Sequence, residues 1–216
     1  MNGKKERFVI SIERGLCVDG DAIAKELGKA LGIVSFSGEI IKEASRLSGI
    51  SEELLLRYEE KAVREAYDLM AEDEAHIKLP SARRFIMAQL AACKSLAEQG
   101  SCILVNHHSN AAMSSHNNHI RIFVHTVPHR IVKAYAKENH MDTEFAASEL
   151  RRKSKARTRY FKSVSKHWGE AANYDFCLDS TGMTTIQAAD NIVRFLETAV
   201  HGDIVPRPTR ALKRGA

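Results

Sequence analysis

The sequence predicts an α/β domain with a parallel sheet flanked by helices, and three observations predict it. Short β-rich apolar runs recur at Phe8–Ile12, Cys102–Val105, Ile120–Val124 and Tyr174–Leu178. Helically spaced stretches separate them. The chain, 216 residues and 44% hydrophobic, is long enough for one sizeable core and short for two. Strands that alternate with helices pair in parallel, and such sheets bind ligands at the carboxyl ends of their strands.

The first unit is Phe8–Ile12, a loop over Glu13–Gly20, and a helix through Ile23, Ala24, Leu27 and Leu31 that Gly32 stops. Ser37 has the look of an N-cap for a helix through Ile40, Ile41, Ala44 and Leu47, ended by Gly49. Ser51 opens a helix expected to reach about Met70. Pro80 opens another, through Phe85, Met87, Leu90 and Leu96, that ends at Gly100. Beyond the third strand, Pro128 starts a helix through Ile131, Val132 and Tyr135, and Thr143 to about Phe161 forms a long basic helix. Thr184–Val200 closes the domain, with Ile186, Ala189, Ile192, Val193 and Leu196 on one face.

No apolar run reaches the ~20 residues that a membrane span needs. Phe8–Ile12 is too short for the apolar part of a signal peptide, so a cytoplasmic location is expected. Cys17, Cys93, Cys102 and Cys177 have no metal or redox spacing and are expected to be small buried thiols. The net charge of +5 suits a polyanionic ligand. Much of the excess is Arg151, Arg152, Lys153, Lys155, Arg157, Arg159, Lys162 and Lys166, with a second cluster in the tail, Arg207–Arg214. The basic helix carries cations on two faces and is expected to be exposed.

Gly15-Leu16-Cys17-Val18-Asp19-Gly20-Asp21-Ala22 has the two glycines of a phosphate-binding loop at the right spacing, between a strand and a helix. In that motif backbone amides cradle phosphates, a lysine reaches the β and γ phosphates, and a hydroxyl holds Mg²⁺. Here Asp21 stands at the lysine position, Ala22 at the hydroxyl position, and Asp19 adds a carboxylate. A carboxylate ~4 Å from a phosphate costs about 1 kcal/mol in water and several times that at lower dielectric. ATP is therefore expected to bind weakly.

His107, His108, His116 and His119 share a stretch with Asn106, Asn110, Asn117 and Asn118. No histidine pair has helical i, i+4 spacing and no carboxylate is an obvious fellow ligand, so no metal site is assigned. The stretch is read as a polar surface loop, or as a place where His107 and His108 face a ligand pocket.

The chain resembles the cytidylate kinase-like family, a branch of the P-loop nucleoside monophosphate kinases, from about Phe8 to Glu197. The resemblance rests on Ile10-Ser11, Gly20 with Ile23-Ala24-Lys25-Glu26-Leu27, Leu31-Gly32-Ile33, Glu39-Ile40-Ile41, Ser48–Glu52 and Leu96–Cys102. Further along it rests on Arg130, Lys155-Ala156-Arg157 with Tyr160-Phe161, Trp168-Gly169 and Asn173-Tyr174-Asp175. It implies a P-loop NTPase-type sheet in one domain over 1–200. The core would be 8–36 and 101–200, with a helical insertion at about 37–79, a basic lid at about 142–167, and a loose tail at 201–216. It also implies phosphoryl transfer from ATP, with Mg²⁺, to CMP or a related acceptor. Arg157, Arg151 and Lys155 are then the catalytic candidates. Gly15, Asp19, Gly20, Asp21 and Ala22 line the ATP loop, and Ser37, Arg84, Asn106, His107, Arg130 and Arg159 face the acceptor. Arg152 is expected beside these on the lid, over the mouth formed by Gly15–Asp21 and Asn106–His108.

The departures fall on ligand-facing positions. The family's Gly-Arg after the next strand is Asn106-His107 here, a family aspartate is Ser37, and the lid has Ser154 where an aspartate is usual. Three readings stay open. The chain is a kinase using ATP and Mg²⁺ with altered activity. Or it is a non-catalytic protein on that scaffold, binding a nucleotide or another phosphate-bearing small molecule. Or it binds nucleic acid through the basic helix and tail, which the absence of a stacking-aromatic arrangement disfavours. No membrane partner is expected.

Overall fold

The computed structural model describes residues 7–58 and 82–198. In chain order the elements are β1 (Val9–Arg14), α1 (Gly20–Leu31), β2 (Val34–Phe36) and α2 (Gly38–Ser48), then a helical stretch over 52–58. They continue with α3 (Ala82–Ala97), β3 (Cys102–Val105), α4 (Ser109–Ala112), β4 (His119–His125), α5 (Pro128–Glu138) and α6 (Thr143–Lys162). A 3₁₀ turn (Ala171–Asn173), β5 (Phe176–Asp179) and α7 (Thr185–Thr198) complete the list. The part of the Ser51 helix beyond residue 58, Pro80, and the tail lie outside the described residues.

The five strands form one sheet in the order β2-β3-β1-β4-β5, every pair parallel. The four strands expected from the sequence stand side by side in it. β2 was not expected: it has three residues, and Val34 is half exposed, so it lacks an apolar run.

The strand period of two divides the core. Ile10, Ile12, Ile120, Ile122 and Val124 face α1 and α7, where Ile23, Leu27, Ile192 and Leu196 bury. Val9, Cys102 and Leu104 face the other way, onto Ile40, Ile41 and Ala44 of α2 and Ala92, Cys93 and Leu96 of α3. A third cluster ties α6 to β4: Phe123, Ala156, Tyr160, Phe161, Trp168 and Tyr174.

Several expectations need correcting. α6 is not an exposed helix, because Ala146, Leu150, Ala156, Tyr160 and Phe161 form a buried stripe between its cations. Leu47, Met87 and Ile186 are 44%, 54% and 58% exposed. Leu47 and Ile186 lie in terminal turns, and Met87 sits on the flank of the face that α3 buries. Cys93 and Cys102 are buried, but Cys17 and Cys177 are exposed, Cys17 on the loop and Cys177 on β5.

Candidate functional site

The loop after β1 turns directly into α1, and its carboxylates have structural partners. Asp19 is the N-cap of α1, and its side chain accepts a hydrogen bond from the Ala22 amide at 3.0 Å. That amide belongs to the first turn, which a phosphate would otherwise engage. The cap is worth about 1 kcal/mol and complements the positive end of the helix. Asp21 accepts a hydrogen bond from the Ser37 hydroxyl at 2.8 Å. Ser37 does stand at the N-cap position of α2, but its side chain makes no cap bond, because it reaches to Asp21 instead.

Gly20 has a local reason to be glycine. A Cβ there would lie 2.9 Å from Arg14 Cδ and 3.3 Å from Val105 Cγ1. The stem of Arg14 therefore runs beneath the first residue of α1. The buried Nε of Arg14 has no hydrogen-bond partner, and Arg14 forms no ion pair among the described residues. A second guanidinium meets the same backbone: Arg157 Nε donates to the Arg14 carbonyl at 3.0 Å, with its cationic carbon 4.7 Å from the centre of the Phe161 ring. No lysine follows Gly20, but one cation reaches the start of α1 from β1 and another meets the end of β1 from α6.

At the end of β3 the chain takes an unusual path. Asn106, His107 and His108 all have left-handed backbones, with φ of 59°, 46° and 59°. Each such residue costs about 1 kcal/mol when it is not glycine. The turn is held by Asn106 N–H to the Ile12 carbonyl at 2.9 Å and Ser109 N–H to the Asn106 carbonyl at 2.8 Å. His108 is 1% exposed and packs against Tyr160 and Phe161, ring centres 5.5 and 5.2 Å away. The expected surface loop is thus partly core, since the lid's aromatics need a surface and this turn supplies it.

Glu13, next to Arg14, is 1% exposed and accepts a hydrogen bond from the Tyr174 hydroxyl at 2.6 Å. Tyr174 in turn accepts one from the Gly169 amide at 3.1 Å. Burial pushes the Glu13 carboxyl up to about 7, against the pull of Tyr174, the Asn110 backbone and Arg157. The folded state thus holds the Glu13 proton more tightly than the unfolded chain. Its contribution to stability is complete below about pH 4.5 and is lost as pH rises through 7. His119 has the opposite sign, since burial and then Arg121 press its imidazole down to about 4. Between about 4.5 and 6.5 the two slopes oppose each other. Glu13→Gln should therefore unmask a stability that rises with pH over that interval, by about 3 kcal/mol in all, measured by urea unfolding at a series of pH values. A variant curve parallel to the parent's would show that Glu13 titrates normally.

A cavity of about 380 Å³ opens between α6 and the carboxyl ends of β4 and β5. Gly15, His125, Thr126, Ser154, Arg157 and Trp168 are among its walls. It joins the first half of the loop to the lid. Of the site residues named from the sequence, the structure brings together Gly15, Asp19, Gly20, Asp21, Ala22, Ser37 and Arg157, by the contacts above. Arg151 and Lys155 are exposed on α6, and Arg159 is half-buried there. Arg84 is exposed on α3, without a hydrogen bond or ion pair among the described residues. Arg130 sits 3.6 Å from Asp179, at the end of β5. Sequence reasoning missed Arg14, Glu13 and Tyr174. Only the acidic and basic residues ending a buried strand could have pointed to the first two.

Much of the basic helix is engaged within the protein. Lys153 bonds Glu149 and the Tyr135 hydroxyl, Lys162 bonds Glu170, and Arg157 bonds the last carbonyl of β1. Among the described residues no helix is long and apolar enough to cross a membrane, and no group of three or more histidine, cysteine or acidic side chains is placed to hold a metal ion.

A five-stranded parallel sheet with a phosphate-type loop after its first strand and a basic helix docked on that loop defines the P-loop kinase class of fold. The chain belongs to the cytidylate kinase-like family, whose profile matches residues 9–182. Among solved structures it resembles an uncharacterized protein from Eubacterium ventriosum, with a TM-score of 0.62 and 19% identity over 90% of this chain and 100% of that one. It also resembles the shikimate kinase of Bacteroides thetaiotaomicron, at TM-score 0.52 and 9% identity over 89% and 99% of the two chains. The shikimate kinase of Aquifex aeolicus is similar at 0.50 and 12%, over 90% and 100%. These structural likenesses show the shared fold. No match is found among curated proteins.

Proposed function

We propose that this member of the cytidylate kinase-like family binds a phosphate-bearing small molecule between its loop and lid, with ATP-dependent phosphoryl transfer attenuated or lost. The observation that carries the reading is the Asp19 carboxylate seated on the first-turn amide of α1, with no lysine or hydroxyl after Gly20. The loop does not fit Mg²⁺-ATP in the usual way. Ala22 offers no oxygen to a metal, Asp19 caps the helix, and Asp21 is bonded to Ser37. What supports retained anion binding is the pair of guanidiniums, Arg14 below the loop and Arg157 above it, which suit phosphate oxygens. The family's usual acceptor is a nucleoside monophosphate, but the turn that replaces Gly-Arg removes an arginine from that side. CMP binding is therefore expected to lean on Arg157.

Titration calorimetry with Mg²⁺-ATP, CMP and sulfate separates the readings. Mg²⁺-ATP is expected to bind in the millimolar range or more weakly. Arg14→Ala and Arg157→Ala should each weaken sulfate or CMP about tenfold, the effect of one charge-assisted hydrogen bond. Micromolar Mg²⁺-ATP affinity with turnover to CDP would overturn the attenuated reading. Sulfate and CMP affinities that neither substitution changes would remove loop and lid as the binding site.

A further inference from the structure

A second cavity, of about 220 Å³, lies near the amino end of β4, apart from the loop and the lid arginines. Its walls come from α4 and the turn after it (Asn110, Ser114, His116), from β4 (His119, Arg121), and from Ser165 and Asn173. Ala111 is the one apolar residue among them, and no carboxylate lines the space.

Two of these residues are locked. Arg121 gives Nε and Nη2 to the two oxygens of Asp175, at 3.1 and 2.8 Å, and its own amide also bonds Asp175 at 2.8 Å. This fork fixes the guanidinium and leaves Nη1 unused. His119 is held 2.8 Å from the Ser11 hydroxyl and bonds the Met113 backbone. The other five polar side chains, Asn110, Ser114, His116, Ser165 and Asn173, bond no described residue. Asn110 is only 5% exposed, and His116 Nδ1 is buried without a partner. Buried polar groups in folded proteins are normally satisfied, and here the buried Asn110 side chain and the buried His116 Nδ1 face one space with no described partner, as in a place made for a polar ligand.

We propose that this cavity binds a small oxyanion, a phosphate or carboxylate group. Two carboxamides, two hydroxyls, an imidazole and an oriented guanidinium can all turn donors inward, and none of the lining groups is obliged to be an acceptor. Asp175 tempers the charge of Arg121, so recognition rests on convergent hydrogen bonds more than on net charge. Asn110, His116 and His119 of the histidine-asparagine stretch thereby acquire a role. This proposal is independent of the kinase-like reading.

The test follows the side-chain amide resonances of Asn110 and Asn173 by NMR. Inorganic phosphate and malonate are titrated in parallel at constant ionic strength set with chloride. Saturable shifts are expected. His116→Phe and Asn173→Leu, both at partly exposed positions, should each raise the half-saturating concentration about tenfold. Arg157→Ala should leave it unchanged, which separates this cavity from the loop. Saturation by phosphate alone assigns a phosphate group, and saturation by malonate alone or by both assigns a broader oxyanion site. Shifts that do not saturate, or that neither cavity substitution alters while thermal melts show both variants folded, would overturn the proposal.

Discussion

Phe161→Ala is expected to lower the unfolding free energy by about 3–5 kcal/mol, the cost of truncating a fully buried aromatic. Phe161 is 2% exposed, and four partners meet it. His108 lies on one side, Tyr160 packs edge-on at 5.0 Å, Trp168 stacks at 5.0 Å and 13°, and the Arg157 guanidinium covers its ring. Removing the ring opens a cavity at the root of the lid and takes away the surface on which Arg157 rests. Trp168 is the chain's single tryptophan, so its emission reports the change directly. A red shift should accompany the loss of stability in urea unfolding followed by circular dichroism. A loss under about 1 kcal/mol with emission unmoved would show that α6 is not anchored through this cluster.

The second large effect is a gain. Asp19→Gly, Asp21→Lys and Ala22→Ser together are expected to strengthen Mg²⁺-ATP binding about 10- to 100-fold. They free the first-turn amide of α1, exchange two negative charges for one positive, and provide a hydroxyl. Each charge within ~4 Å of a phosphate is worth about 1 kcal/mol in water and more where water is excluded. The same variant should be less stable by only a few tenths of a kcal/mol at the cap, since glycine is itself a tolerated N-cap. Calorimetric titration measures the first effect and urea unfolding the second. An ATP affinity equal to the parent's would mean that the left-handed turn or the docked lid, rather than the acidic loop, limits binding.

Much of the scaffold was legible because period and punctuation agree. Cys102–Val105 is an uninterrupted apolar run, Pro128 opens α5, and Gly32 and Gly49 close α1 and α2 with left-handed backbones. β2 escaped notice because a three-residue edge strand with exposed Val34 has no periodicity to detect. The losses at Asp21 and Ala22 were visible as a broken motif. Their consequences were not, because a cap and a cross-helix bond to Ser37 depend on where α2 is placed. Arg14 was hidden for a related reason. The motif draws the eye to the residue after the last glycine, whereas Arg14 reaches that glycine from below, six positions earlier in the chain. Glu13 and Tyr174 meet across 161 positions, a pairing that only the assembled sheet creates.

The Asp19 cap makes the protein its own competitor. A phosphate group arriving at α1 must displace a carboxylate tethered to the very residue that begins the helix. Such a rival is not diluted away, since its local concentration is set by chain geometry and not by the cell. Occupancy then depends on how much better the ligand pairs with Arg14 and Arg157 than Asp19 pairs with the Ala22 amide. A monovalent anion offers little advantage in that exchange. On the proposed reading a phosphate dianion, with oxygens for both guanidiniums at once, would be favoured over a simple monovalent ion, and the tethered acid would act as a threshold that selects for charge.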